Sequence, residues 1–197
     1  MGEFGRLRFL LEQKEISLSP DKWARLEAYK SLLLLWGNRF ALVSRRDLRE
    51  GLEKHFADSL LISPYIAGQH VLDLGSGAGF PGIPLAIVLD DKRFTLIESR
   101  KKKCAFLREV RRELGLENIE VVNARWEDLE YEADIALARA TGGVEKLLDE
   151  LPHLLKKGGY LLLYSADKRL DLRPERIETI ENPYRPAPFY LLFIRRD

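Results

Sequence analysis

Residues 71–82 read Val-Leu-Asp-Leu-Gly-Ser-Gly-Ala-Gly-Phe-Pro-Gly, an apolar run that carries one acid and breaks directly into glycines with prolines behind them. Val71, Leu72 and Leu74 suit a strand buried on both faces, and such a strand belongs to a parallel sheet covered by helices. The glycines let the backbone enter the positive-φ region and come close to a ligand. Pro81 and Pro84 fit the opening turn of a helix, whose N–H groups face back toward whatever the loop holds. The segment therefore predicts strand, loop and helix in succession, with a small-molecule site at the strand's C-terminal end.

From His70 onward, short apolar runs alternate with helical patterns, the order of a doubly wound α/β sheet, mostly parallel and Rossmann-like. Strands are expected at residues 71–74, 94–98, 119–122, 135–138, 160–164 and 189–195. Helices are expected at 82–89, 100–114, 143–155 and, on a weaker pattern, 173–180. Gly115 and the pair Gly158-Gly159 read as helix stops, and the last strand as the edge of the sheet. Residues 1–66 differ: Trp23, Leu26, Tyr29, Leu33 and Trp36 recur at steps of three and four, and Ser19-Pro20-Asp21 marks a helix start. The expected organisation is a helical cap over 1–66 and an α/β domain over 67–197, packed as one compact unit, because 197 residues suffice for one well-buried core and not for two.

Composition bounds the function. Cys104 is the only cysteine and there are three histidines, so neither a disulfide framework nor a metal site is expected. The N-terminus lacks the apolar core of a signal peptide, and the longest apolar runs fall far short of the roughly 20 residues that span a bilayer. A cytoplasmic monomer with no membrane contact is expected. The formal net charge of +1 makes any contact with nucleic acid a matter of local patches. Two are visible: Arg45, Arg46 and Arg49 in the cap, and Arg100, Lys101, Lys102 and Lys103 continuing to Arg108, Arg111 and Arg112. They read either as phosphate-neutralising surfaces or as solvated faces, the second diluted by Glu109 and Glu113.

The glycine loop fits more than one cofactor. Gly77-Ala-Gly79-Phe-Pro-Gly82 satisfies G-x-G-x-x-G with Glu98 about 20 residues on, as a dinucleotide fingerprint asks. Asp73, inside the strand, instead makes Leu-Asp-Leu-Gly-Ser-Gly-Ala-Gly, which resembles the first motif of S-adenosylmethionine (AdoMet) methyltransferases. A third reading is a tight turn with no ligand. If the cofactor is AdoMet, Asp73, Gly75, Ser76 and Gly77 form its loop, and Glu98 accepts from the ribose hydroxyls or, alternatively, caps the next helix. Trp126 covers the adenine or anchors the core, and Glu127 accepts from the exocyclic amine.

The fourth strand ends Ala136-Leu-Ala-Arg139-Ala-Thr141, with neither the Asn/Asp-Pro-Pro-aromatic tetrapeptide of exocyclic-amine methylases nor a Pro-Cys nucleophile. A guanidinium stays protonated and makes a poor general base. Arg139 therefore points to an acceptor atom that is already a nucleophile, such as guanine N7, with catalysis by positioning and electrostatics. Other readings put Arg139 on the AdoMet carboxylate, on an RNA phosphate, or in an ion pair with Asp134 or Glu127. His55, Asp58 and Ser59 share one helical face at i, i+3 and i+4, to meet substrate or to bond cap to sheet.

Several segments resemble one family, the bacterial small-subunit (16S) ribosomal RNA guanine-N7 methyltransferases, also called glucose-inhibited division protein B. They are His55-Phe-Ala-Asp58-Ser-Leu, the run from Leu72 through Gly-Phe-Pro-Gly-Ile-Pro to Ala86, Glu98-Ser-Arg-Lys-Lys-Lys103 with Phe106-Leu107, Arg125-Trp-Glu127, and Arg139-Ala140. The resemblance implies a class I AdoMet-dependent fold, 16S ribosomal RNA or the small subunit as substrate, and AdoMet contacts at Gly75, Phe80, Trp126, Glu127 and Arg139. Two departures touch RNA-facing parts. The segment Trp36-Gly-Asn-Arg-Phe-Ala-Leu-Val-Ser44 lacks the family's two asparagines, and Tyr184-Arg185-Pro186 is all that resembles its Pro-Arg-x-x-Gly tail. The residues alone also admit an AdoMet methyltransferase of a small molecule or protein, and a non-catalytic module that binds AdoMet or a dinucleotide.

Overall fold

The computed structural model describes residues 4–37, 40, 42–44, 46–47, 51–139 and 144–197. Arg45 and Arg49 of the cap's basic cluster lie outside these residues.

Helix α1 (Gly5–Gln13) leads to α2 (Pro20–Gly37), where Ser19 Oγ accepts the backbone N–H of Lys22 at 3.3 Å and so caps the start that the sequence marks. After α3 (Glu53–Leu60) the pattern alternates: β1 (His70–Leu74), α4 (Gly82–Val88), β2 (Arg93–Ile97), α5 (Lys101–Glu113), β3 (Ile119–Val122), β4 (Ala133–Ala138), α6 (Val144–Leu154), β5 (Leu155–Ser165), β6 (Arg176–Ile180) and β7 (Phe189–Arg195). The sheet order is β3-β2-β1-β4-β5-β7-β6, parallel from β3 to β5, with β7 antiparallel to both neighbours. The chain steps outward from β1 to β2 and β3, then returns to pair β4 on the other side of β1. Such a reversal opens a crevice at the C-terminal ends of β1 and β4.

Alternation along the strands builds both faces. Val71, Phe94, Leu96, Ile135, Leu137 and Leu162 pack with α1 to α5, whereas Leu72, Leu74, Ile97, Ala136, Leu161 and Leu163 pack with Leu147, Leu151 and Leu154 of α6. The N-terminal helices join the first cluster through aromatic rings. Phe56 lies 4.9 Å from Phe4, 5.5 Å from Tyr29 and 5.2 Å from Phe80, centroid to centroid, and is fully buried.

Three expectations are corrected. Residues 173–180 do not form a helix: Arg176–Ile180 is a strand, because Ile177, Thr179 and Ile180 are β-branched and pair with β7, which outweighs the weak helical pattern. The last strand is consequently interior, and β6 takes the edge. Gly158-Gly159 does not stop α6, which has already ended at Leu154; the pair lies within β5 beside an irregularity in its pairing with β4. A Cβ on Gly159 would come within 2.9 Å of the Asp134 carbonyl oxygen.

Among the described residues no helix is long and apolar enough to cross a membrane. Because Phe56 ties helices to sheet, Phe56→Ala should lower unfolding stability by about 3–5 kcal/mol. Urea unfolding followed by circular dichroism and tryptophan fluorescence should show one shared transition at lower denaturant, whereas separated transitions would mean that the N-terminal helices unfold alone.

Candidate active site

The glycine loop turns onto the end of β2. Gly75 and Ser76 N–H both donate to the Ile97 carbonyl, at 2.9 and 3.0 Å, and Gly75, Gly77 and Gly79 take φ of +72°, +59° and +101°. Helix α2 fixes the loop from the other side: the buried Tyr29 hydroxyl donates to the Ala78 carbonyl at 2.7 Å. A side chain at Gly79 would meet that hydroxyl at 2.9 Å. Ser76 is buried with Oγ donating to the Asp73 carbonyl at 2.9 Å, and Phe80 lies in the aromatic cluster, 5.4 Å from Tyr29 and 5.2 Å from His55.

Asp73 is 2 % exposed, and its carboxylate accepts the Gly82 N–H at the start of α4 at 3.2 Å. Burial pushes its pKa up to about 7, against the opposing pull of the Gly82 hydrogen bond and the Arg139 charge.

Glu98 follows β2 and is 6 % exposed. Its Oε2 accepts from Gly77 N at 3.0 Å and its Oε1 from Arg100 N at 2.8 Å, so one carboxylate ties the glycine loop to the start of α5. Lys103 Nζ is 4.0 Å from Oε2. Glu98 also lines a cleft of about 400 Å³ with Gly75, Ile97, Ser99, Ala124, Arg125, Trp126 and Glu127. The cleft therefore collects residues from the ends of β1, β2 and β3. Burial works against ionisation of Glu127, but hydrogen bonds from its own backbone, Arg125 and Lys146 outweigh it and hold the carboxyl down at about 2. Lys146 Nζ also lies 5.9 Å from the Trp126 ring.

Arg139 follows β4 and reaches the cap. Its Nη2 donates to His55 Nδ1 at 2.7 Å and to Asp58 Oδ2 at 3.0 Å. Accepting at Nδ1 from a guanidinium places the imidazole proton on Nε2, which faces Asp47 Oδ2 at 3.3 Å. Burial, and next the Arg139 charge, hold the His55 pKa below its ordinary value, so the ring is neutral. The pairing of Arg139 with Asp134 or Glu127 is replaced by this one, because those acids are otherwise engaged. Asp134 accepts the Gln69 and His70 N–H groups and pairs with Lys156, and Glu127 pairs with Arg125 and Lys146.

Of the sequence-derived residues, Gly75, Glu98, Trp126 and Glu127 line one cleft and His55, Asp58 and Arg139 form a cluster, while Asp73, Ser76, Gly77 and Phe80 stand in or beside the glycine loop outside the cleft lining. Ser59 joins neither: it is fully buried, and its hydroxyl donates to the His55 carbonyl within α3. Arg100, Lys101 and Lys102 are exposed at the start of α5, and Arg46 is exposed in the cap. Residues that the sequence did not assign also stand here. Tyr29 reads only as part of an apolar helical stripe, and Asn182 and Arg185, both bonded to Asp58, sit more than 120 residues away from it in the chain.

The family model described as rRNA small subunit methyltransferase G matches residues 22–180. A ribosomal RNA small subunit methyltransferase G of Pasteurella multocida is 40 % identical over 157 residues, covering 79 % of this chain and 75 % of that protein. One of Escherichia coli is 35 % identical over 189 residues, covering 92 % and 91 %. Among solved structures, an Aquifex aeolicus SAM-dependent methyltransferase superposes with TM-score 0.56 at 20 % identity, covering 72 % of this chain and 91 % of that one. M. jannaschii TYW2 in complex with AdoMet superposes with TM-score 0.55 at 21 % identity, covering 78 % of each.

Asp73 makes stability depend on pH. The folded protein keeps its proton up to about 7, whereas the unfolded chain releases it near the ordinary 3.8. Stability from this residue is therefore fullest below about pH 4 and is lost as pH rises toward 7. Relative to Asp73→Asn, the wild type should lose about 1.4 kcal/mol per pH unit across that window. Urea titrations of both proteins at several pH values read the difference directly, and parallel profiles would mean that Asp73 is ionised throughout.

Proposed function

The chain belongs to the rRNA small subunit methyltransferase G family, and from that premise we propose that it transfers a methyl group from AdoMet to N7 of a guanosine in 16S ribosomal RNA. The observation that supports this most is that a carboxylate-lined cleft at the ends of β1, β2 and β3 lies at the sheet's reversal point, where the neighbouring β4 ends in an arginine in place of a general base.

AdoMet, when bound, supplies an electrophilic methyl group on a sulfonium. The residues present fit it. Glu98 spends one hydrogen bond per oxygen on backbone N–H groups and its Oε1 also takes the Ser99 hydroxyl at 3.5 Å, so the second lone-pair site of Oε2 remains for a ribose hydroxyl. Trp126 offers an aromatic face for adenine and Glu127 an acceptor for its amine, while Gly75 and Gly77 let the loop backbone approach closely.

Guanine N7 carries an in-plane lone pair and no proton, so no base has to act before attack. Bound AdoMet would supply the methyl group to that lone pair, its electron pair remaining with the sulfur, and no residue of this chain would have to remove a proton first. Arg139, which remains protonated, serves this reaction by holding ligands in line and by its charge. It donates to guanine O6 or to an anionic group but leaves N7 uncovered, because a bidentate grip on both atoms would block the reacting lone pair. His55 and Asp58 hold Arg139 in place from the cap. Exposed Arg100, Lys101 and Lys102 stand beside the cleft to neutralise phosphates, which makes binding salt-dependent. The proposal includes a cytoplasmic monomer acting on the small ribosomal subunit.

Incubation with isotopically labelled AdoMet and small subunits lacking the modification, followed by RNA digestion and mass spectrometry, should yield labelled 7-methylguanosine. Absence of label from a preparation shown to bind AdoMet would overturn the reading in favour of a small-molecule substrate or a silent binding module. Glu98→Gln should weaken AdoMet binding by about 1–3 kcal/mol in calorimetry, the scale of a charged hydrogen bond. Wild-type affinity in that variant would remove its ribose role.

A further inference from the structure

Asp58 is fully buried and accepts four hydrogen bonds, filling the acceptor positions of a carboxylate. Oδ1 takes Arg185 Nε at 2.6 Å and Asn182 Nδ2 at 2.7 Å, and Oδ2 takes Arg185 Nη2 at 2.7 Å and Arg139 Nη2 at 3.0 Å. The two-point fork and the shorter contacts belong to Arg185; Arg139 holds one longer bond. Bidentate pairs of this kind are the stronger ones.

The two guanidinium groups are also set by a pair of rings. Arg139 lies 5.9 Å from the centre of the Tyr164 ring, Tyr164 stacks on Phe189 at 5.1 Å with 11° between planes, and Arg185 lies 5.2 Å from Phe189. One carboxylate and two rings thus serve two cations, and with His55 neutral the cluster keeps one positive charge more than Asp58 can cancel. Nη1 of Arg139 is buried and has no hydrogen-bond partner among the described residues.

We propose that Arg185 is a positioning residue for methyl transfer: by forking onto Asp58 it prevents that carboxylate from neutralising Arg139, which stays available to an anionic oxygen of the bound ligands, the AdoMet carboxylate or an RNA phosphate. The inference rests on the function proposed above. Without Arg185, Asp58 has one cation left, and Arg139 closes onto it as a two-point pair. Asn182 cannot prevent this, since it carries no charge.

The test compares wild type, Arg185→Gln and the double variant Arg185→Gln/Asp58→Asn, with methylation kinetics on unmodified small subunits, calorimetric AdoMet affinity, and thermal unfolding to confirm folded protein. Arg185→Gln should lose roughly tenfold or more in kcat/KM, the scale of one charge-assisted hydrogen bond. The double variant restores the single excess charge and should recover most of that loss, a rescue that a merely structural strut would not show. A raised AdoMet Kd in Arg185→Gln identifies the cofactor carboxylate as the anion. A raised KM for the subunit with unchanged AdoMet affinity identifies a phosphate. Wild-type kinetics in Arg185→Gln, or a loss that Asp58→Asn does not relieve, would overturn the inference alone, whereas a wild type that transfers no methyl group would overturn the functional reading and the inference with it.

Discussion

A carboxylate with no exposed surface has to be answered by cations and N–H groups, because an unpaired buried charge costs several kcal/mol. Asp58 is such a carboxylate, and the three groups that answer it come from two remote places: Arg139 from the end of β4, and Asn182 and Arg185 from the connection between β6 and β7. Asp58 itself lies on α3. The N-terminal helices, the parallel half of the sheet and the antiparallel half therefore meet at one pair of oxygen atoms. That the same atoms hold the arginine of the candidate active site means that folding and function share a junction.

A second junction lies at the end of β1. The glycine loop has too little side-chain mass to hold its own shape, so other elements hold it: Glu98 from below through Gly77, Ile97 through Gly75 and Ser76, and Tyr29 from above through Ala78. Asp73 adds the start of α4. A loop built this way is organised before any ligand arrives, which reduces the ordering that binding must pay for.

Much of this was legible in the sequence and some was not, for physical reasons. Strands such as His70–Leu74 and Phe189–Arg195 show as apolar runs because both their faces are covered, and the loop shows because only glycine tolerates its backbone angles. The helical face of His55 and Asp58 was readable from spacing, although the partner that unites them, Arg139, is over 80 residues away and no local signal links the two. Arg176–Ile180 was misread because an edge strand with charged outward residues looks polar, and only pairing with β7 decides its conformation. Tyr29 and Arg185 escaped assignment for a related reason: the value of a hydroxyl or a guanidinium depends on what lies opposite, and sequence spacing carries that only within one element.

Sheet order carries a consequence for how the molecule is made. Since β7 lies between β5 and β6, a nascent chain that has emerged only as far as Ile180 has synthesised β6 but not the strand on which it must lie. Asn182 and Arg185 emerge later still, so until then Asp58 lacks most of its partners. The growing polypeptide thus completes its sheet and its arginine cluster in the same stretch, from Arg176 to Arg195. A prematurely terminated product would carry an intact glycine loop, a buried carboxylate answered by Arg139 alone, and a β5 edge with no strand beside it.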